Sequence, residues 1–118
     1  MSDNQFIKNY LQDFITALEP NSLIVDNLIE VRDLLLKVKS NYKKVLIFGN
    51  GGSAAIASHF SVDITKNGKI RCDNFNEAGI ITCFSNDYGF EHWAKKAVDF
   101  YGDKGDLLIV ISSSGQSI

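Results

Sequence analysis

His59 and Asp63 stand four residues apart in GGSAAIASHFSVDITK, the spacing that puts two side chains on one face of a helix. An imidazole and a carboxylate so placed can hold a divalent metal, or move a proton beside a sugar carbonyl. The same spacing also suits a plain ion pair on a helix surface. Immediately upstream runs Gly49-Asn50-Gly51-Gly52-Ser53, whose glycines let the backbone take positive φ and come close to a ligand. Ser53 reads as the N-cap of the helix that carries the pair. Backbone N–H groups and the positive end of that helix's dipole would there face an anion. A second hydroxyl-rich run, Ser112-Ser113-Ser114-Gly115-Gln116-Ser117, lies near the C-terminus. Serine hydroxyls and amides with no lysine or arginine among them suit one phosphate monoester held by neutral donors. Asp87 follows what reads as a strand end and so joins the ligand side, although it can equally cap the next helix. Glu91-His92 reads as first-turn charge on an exposed face.

Chemistry at these positions requires elements to carry them. Val45-Leu46-Ile47-Phe48 is an apolar run between lysines, the pattern of a buried parallel strand. Ile56, Phe60 and Ile64 form an i, i+4, i+8 row on the helix after the glycine loop, and Asn67-Gly68 stops it. Residues 69–77 are polar and mixed, a loop with a short extended piece. Ile80 to Ser85 is β-branched and apolar and predicts a second buried strand. A helix follows from about Glu91 to Tyr101, and Leu107 to Ile111 is the strongest strand of the chain. Apolar, unalternating strands separated by helices argue an α/β layer with a parallel sheet. In such sheets ligands bind outside the carboxyl ends of the strands, where loops 49–53 and 112–117 would converge. No helix follows SSSGQS and three strands leave an open edge, so the chain is expected to be the front part of a longer domain.

Upstream, Phe6, Tyr10, Leu11, Phe14, Ile15 and Leu18 recur at helical spacing over residues 5–18. Pro20 interrupts, and Asn21 or Ser22 can cap a second helix running to about Val38. Its apolar set is too wide for a single seam, which suits a core helix or, the reading preferred, a helix bundled with another subunit. Residues 1–40 are therefore read as a helical oligomerisation segment and 41–118 as the α/β ligand domain.

Composition removes several classes. The 118 residues are 45% hydrophobic and 22% charged, which is globular rather than disordered. Net charge is −2 without a basic block, and lysines 37, 39, 43 and 44 read as a solvated face, so no nucleic-acid partner is expected. No secretory signal or membrane-length apolar run occurs, and Cys72 and Cys83 lack metal or disulfide spacing. A packing role for both cysteines and a reducing cytoplasm are the expectations. Gly49, Gly51 and Ala54 satisfy G-x-G-x-x-A, with Asp73 near the distance of a ribose-binding acid. The segment before Asp73 is a poor strand, however, and the second hydroxyl cluster is not something a dinucleotide fold requires. No nucleotide cofactor is expected, and the absence of G-K-[ST] excludes a P-loop.

GNGGSAAIASHF, SNDYG and GDLLIVISSSGQS together resemble the sugar isomerase (SIS) domain family, in particular its sedoheptulose 7-phosphate isomerase (phosphoheptose isomerase) branch. The resemblance implies a three-layer flavodoxin-like parallel sheet and a homotetramer packed through its N-terminal helices, with active sites shared between subunits. It implies phosphate contacts from Ser53, Ser112, Ser113, Ser114 and Ser117, and places Asn50 and Asp87 near the sugar, with Gly51 and Gly52 in the substrate loop. His59 would be a zinc ligand where the family binds Zn2+. Asp63 fills the position where the family has a glutamate that serves as base and metal ligand, one methylene longer. A further catalytic histidine and a glutamine ligand come from a later helix not contained in these residues. The implied reaction interconverts sedoheptulose 7-phosphate and D-glycero-D-manno-heptose 7-phosphate through an enediol, for surface-polysaccharide heptose biosynthesis. The shortened carboxylate favours a second reading, a non-catalytic SIS module that binds a sugar phosphate or a protein, like the DnaA initiator-associating proteins.

Overall fold

The computed structural model describes residues 1–116 and divides the chain into two units, Met1–Arg32 and Asp33–Ile118. In the first unit, Asp3–Ala17 forms α1, capped by the Ser2 hydroxyl, which accepts the Gln5 amide at 3.3 Å. The next helix, Ser22–Ser40 (α2), starts at Asn21, whose side-chain oxygen accepts the Ile24 amide at 2.9 Å. No residue of α1 is buried, and Phe6, Tyr10, Phe14 and Leu18 are all exposed.

The second unit is built on a parallel sheet. Its central strand is Lys44–Gly49 (β1), flanked by Arg71–Asp73 (β2) and Leu107–Ile111 (β3) in the order β2-β1-β3. Alternation along β1 builds two cores. Val45 and Ile47 face Gly52–Lys66 (α3) and the end of α2, packing with Val38, Ala57, Ile70 and Cys72. Leu46 and Phe48 face the opposite layer of Ala78–Tyr88 (α4) and Trp93–Tyr101 (α5), packing with Trp93, Ala97, Ile81 and Phe84. The expected three-layer α/β sandwich is therefore present. Each fully buried aliphatic side chain of β1 contributes about 1.5–3 kcal/mol of burial free energy. On the far edge, Leu108 and Val110 of β3 are exposed.

The expected strand over Ile80–Ser85 is instead the body of α4. Its residues have strand propensity, but that propensity is a packing preference that tertiary context reverses. The Glu77 carboxylate caps the helix by accepting the Ile80 amide at 2.9 Å, and Ile81 and Phe84 lie three apart on its buried side. Bonds from the Gly79 and Ile80 amides hold the Glu77 carboxyl below its usual range. The sheet's middle strand in sequence is the short Arg71–Asp73, the extended piece expected within the polar segment 69–77. The helix expected from Glu91 begins with a 3-10 turn, Phe90–His92, before α5.

Lys44 is not part of a solvated lysine face. Its ammonium lies 2.7 Å from both Asp103 and Asp106, and the Asp106 side chain is only 6% exposed. Asp106 also accepts the backbone amides of Lys44 at 3.0 Å and Asp103 at 2.8 Å, clamping the start of β1 to the turn before β3. The hydrogen bonds to Asp103 and Asp106 raise the Lys44 pKa. Burial pushes the Asp106 carboxyl up, but the bonds from Lys44 and the two amides outweigh it and hold the group below its usual range. Burial pushes the Cys72 thiol up to about 11, consistent with a packing role, whereas Cys83 is exposed and does not share it.

Candidate functional site

The chain leaves β1 on one side of the sheet to form β2, then returns to the other side to form β3, so the strand order reverses between β1 and β3. This is the switch point at which open α/β sheets bind ligands. Gly49 pairs with Ile111, so both strands end at the same level and both hydroxyl-bearing loops leave from one edge. A cleft of about 260 Å³ lies there, lined by Asn50, Ser53, Ser112 and Ser113. Phe48, Trp93 and Ala94 add apolar surface, and Phe90, Glu91, Val110 and the strand ends Gly49 and Ile111 complete the lining.

The glycine loop differs from its expected form at one point. Gly51, not Ser53, occupies the cap position of α3, with φ +55°, and the helix begins at Gly52. Glycine takes that conformation without the Cβ penalty of other residues. The Ser53, Ala54 and Ala55 amides turn back onto the Asn50 and Gly51 carbonyls at 3.0–3.2 Å. The donors left to the loop are the Asn50 side-chain amide and the Ser53 hydroxyl, which line the cleft, and the Gly51 and Gly52 amides at the helix N-terminus, which are not among its lining residues. Gly49 serves packing: a Cβ there would lie 2.5 Å from the Ser53 carbonyl, whereas one on Gly51 or Gly52 would meet nothing within 4 Å. Across the cleft, the Ser112 hydroxyl accepts the Gly115 amide at 3.0 Å and that of Ser114 accepts the Gln116 amide at 3.1 Å, which shapes the second loop. Ser114 is not among the cleft's lining residues, and Ser117 lies outside the described residues.

His59 and Asp63 do form a pair, with Nε2 3.3 Å from Oδ2, but at 82% and 53% exposure on the outer face of α3. Neither lines the cleft. Ile56 and Val62 beside them are also exposed. No group of three or more His, Cys, Asp or Glu able to hold a metal occurs among the described residues. A zinc site needs at least three protein ligands, and this pair supplies two. Asp87 sits in the last turn of α4 rather than at a strand end, accepting from the Asn86 amide at 3.0 Å with the Cys83 sulfur at 3.7 Å.

The sequence reading missed the Phe90–Ala94 wall. Its signal was Gly89, which breaks the chain with φ +93° and turns Phe90 and Glu91 toward the strand ends.

The SIS domain family model matches residues 8–118. A phosphoheptose isomerase of Neisseria gonorrhoeae (strain NCCP11945) is 36% identical over 107 residues, 84% of this chain and 53% of the relative. A phosphoheptose isomerase of Fusobacterium nucleatum is 41% identical over 95 residues, 75% of this chain and 48% of the relative. The solved structure of phosphoheptose isomerase GmhA from Neisseria gonorrhoeae superposes with a TM-score of 0.84 at 32% identity, covering 97% of this chain and 62% of that one. A phosphoheptose isomerase from Francisella tularensis gives the same TM-score of 0.84 at 28% identity, over 99% of this chain and 64% of the other. The chain spans about half the length of the curated relatives it matches. Among the described residues, no helix is long and apolar enough to cross a membrane.

Proposed function

We propose that this chain, which belongs to the SIS domain family, binds the phosphate end of a sugar phosphate as part of an aldose–ketose isomerase acting on sedoheptulose 7-phosphate. The observation that carries the reading is the meeting of two neutral-donor loops at the β1/β3 switch point. The relatives' name, phosphoheptose isomerase, supplies the substrate. Amides of Gly51 and Gly52, the Ser53 hydroxyl and the Ser112–Ser114 loop hold the phosphate, and Ser117 belongs to the same set. Binding energy from that remote end aligns the carbon atoms that react. Asn50 and Asp87 contact the sugar. Asp63 transfers the proton between adjacent carbons in an enediol mechanism, the product being D-glycero-D-manno-heptose 7-phosphate for surface-polysaccharide heptose.

His59 and Asp63 face away from the cleft of their own subunit, so in this reading they serve a site completed by a neighbouring copy. The exposed apolar residues of α1 and α2 favour such a homo-oligomer, proposed as a tetramer in the reducing cytoplasm. Should zinc be used, His59 and Asp63 are two of its ligands. It would polarise the substrate oxygen, and further ligands would come from outside the described residues.

The outward pair and its short carboxylate also favour a second reading, a non-catalytic module that binds the sugar phosphate as a sensor or docks a protein. Trp93 is the sole tryptophan and lines the cleft, so its fluorescence reports binding directly. Titration with sedoheptulose 7-phosphate, followed by a coupled assay for the aldose, separates the readings. Binding with turnover is expected; binding without turnover selects the sensor module; no binding refutes the isomerase and the sensor and leaves only the protein-docking module.

A further inference from the structure

Among the residues lining the cleft, Glu91 alone carries a charge. The rest of the lining is apolar or offers neutral donors, and no lysine or arginine is present to balance the carboxylate. Gly89 takes φ +93°, and a Cβ there would come within 3.1 Å of both Glu91 carboxylate oxygens, so the bare glycine makes the room the carboxylate occupies. The His92 imidazole is 3.8 Å away, too long for a hydrogen bond, which leaves the carboxylate for ligand hydroxyls.

We propose that Glu91 makes the cleft selective for sugar monophosphates, by accepting hydroxyl hydrogen bonds and repelling ligands with a second anionic group. This rests on the sugar-phosphate reading above and adds to it. A single phosphate satisfies its charge on the amides and hydroxyls of the two loops, as neutral donors allow. A second phosphate or a carboxylate on the same ligand finds no cation in the lining and meets the negative charge of Glu91. A carboxylate is acceptor-only when ionised, so it suits the hydroxyls of a polyol chain and rejects acceptors. Glu91 is exposed, as its place in a first turn led us to expect, and the 3-10 turn at Phe90–His92 also sets it on the rim of the cleft.

The test titrates the full chain, by Trp93 fluorescence with calorimetry as a second readout, against sedoheptulose 7-phosphate and sedoheptulose 1,7-bisphosphate. At low salt the unaltered protein is expected to prefer the monophosphate by about tenfold or more, a preference that weakens as added salt screens the repulsion. Glu91→Gln keeps the shape and removes the charge, and should cut the preference to about threefold or less. Glu91→Asp keeps the charge and should keep the preference. The side chain is 63% exposed, so both variants are expected to melt like the parent. An unchanged preference in Glu91→Gln, with the monophosphate still bound by both proteins, overturns this proposal and leaves the sugar-phosphate reading intact. Failure of the unaltered protein to bind the monophosphate removes both.

Discussion

Replacing Gly49 by alanine should damage the cleft from beneath, through the backbone. An added Cβ would sit 2.5 Å from both the carbonyl carbon and oxygen of Ser53, and 2.9 Å from its Cβ. Ordinary contact begins at 3.4 Å, so the first turn of α3 must retreat by about 0.9 Å. The obstacle is main chain, not the end of a flexible side chain, and the retreat loosens the seam between β1 and α3. Overpacking of this kind costs about 1–3 kcal/mol. For a chain of this size that lowers Tm by roughly 4 °C per kcal/mol. The same shift carries the anion-facing amides off target, and a misplacement of about 1 Å can cost about a hundredfold in rate. Gly52→Ala is the contrast, because its Cβ meets nothing within 4 Å. It should hold or raise Tm, by up to about 1 kcal/mol of helix stabilisation. Circular-dichroism melts and Trp93 titrations of both variants give the result. A Gly49→Ala protein that melts like the parent would refute the packing argument. A Gly52→Ala protein that melts below the parent would refute the contrast.

Three other outcomes follow from the same geometry. Asp106→Asn should destabilise by about 2–3 kcal/mol in urea melts at neutral pH, because it removes a charged acceptor from Lys44 and two amides. The Asp106 carboxyl titrates below its unfolded value, so its contribution is present above about pH 3.9 and lost as pH falls through the folded pKa; the parent's acid limb should flatten in the variant. Ser113→Ala should weaken binding of sedoheptulose 7-phosphate roughly three- to tenfold, the loss of one neutral hydrogen bond, with no change in Tm beyond about 2 °C. Asp63→Asn should abolish turnover while binding persists, and Asp63→Glu, which restores the family's longer carboxylate, should raise turnover; an active Asp63→Asn protein would remove Asp63 from the mechanism.

Much of this arrangement was readable from residue order. The run Val45–Phe48 is apolar on both faces because both sheet faces are covered at β1, whereas Leu107–Ile111 is covered on one face and leaves Leu108 and Val110 exposed; the glycine and serine loops follow the two runs directly. Ile80–Ser85 misled because β-branched residues look alike in a buried strand and on a helix packed against Leu46 and Phe48. Its cap is a glutamate, which is not among the favoured cap residues, so the helix start carried little local signal. Strand β2 has three residues and only Cys72 buried, too short for any period to register. Glu91 was invisible as a cleft residue because the 3-10 turn that aims it depends on Gly89 and on the packing of Trp93. The outward direction of His59 and Asp63 follows from Ala57 and Ser61 claiming the buried side of α3, a matter of helix phase that i, i+4 spacing alone does not decide.

The clamp between Lys44 and Asp106 joins residues 62 apart in the chain, and the β1/β3 ladder above it spans the same distance. Pairings between such distant segments carry a large loop-closure cost and form slowly. The two loops of the cleft emerge from the two strands of this long-range pairing, so the cleft exists only once the slowest contact of the sheet has closed. A ligand that bridges the loops binds the closed state and not the open one, and so stabilises it by mass action. Sugar phosphate in the growth medium of a destabilised variant should therefore act as a folding aid, raising its yield in proportion to the occupancy of the cleft.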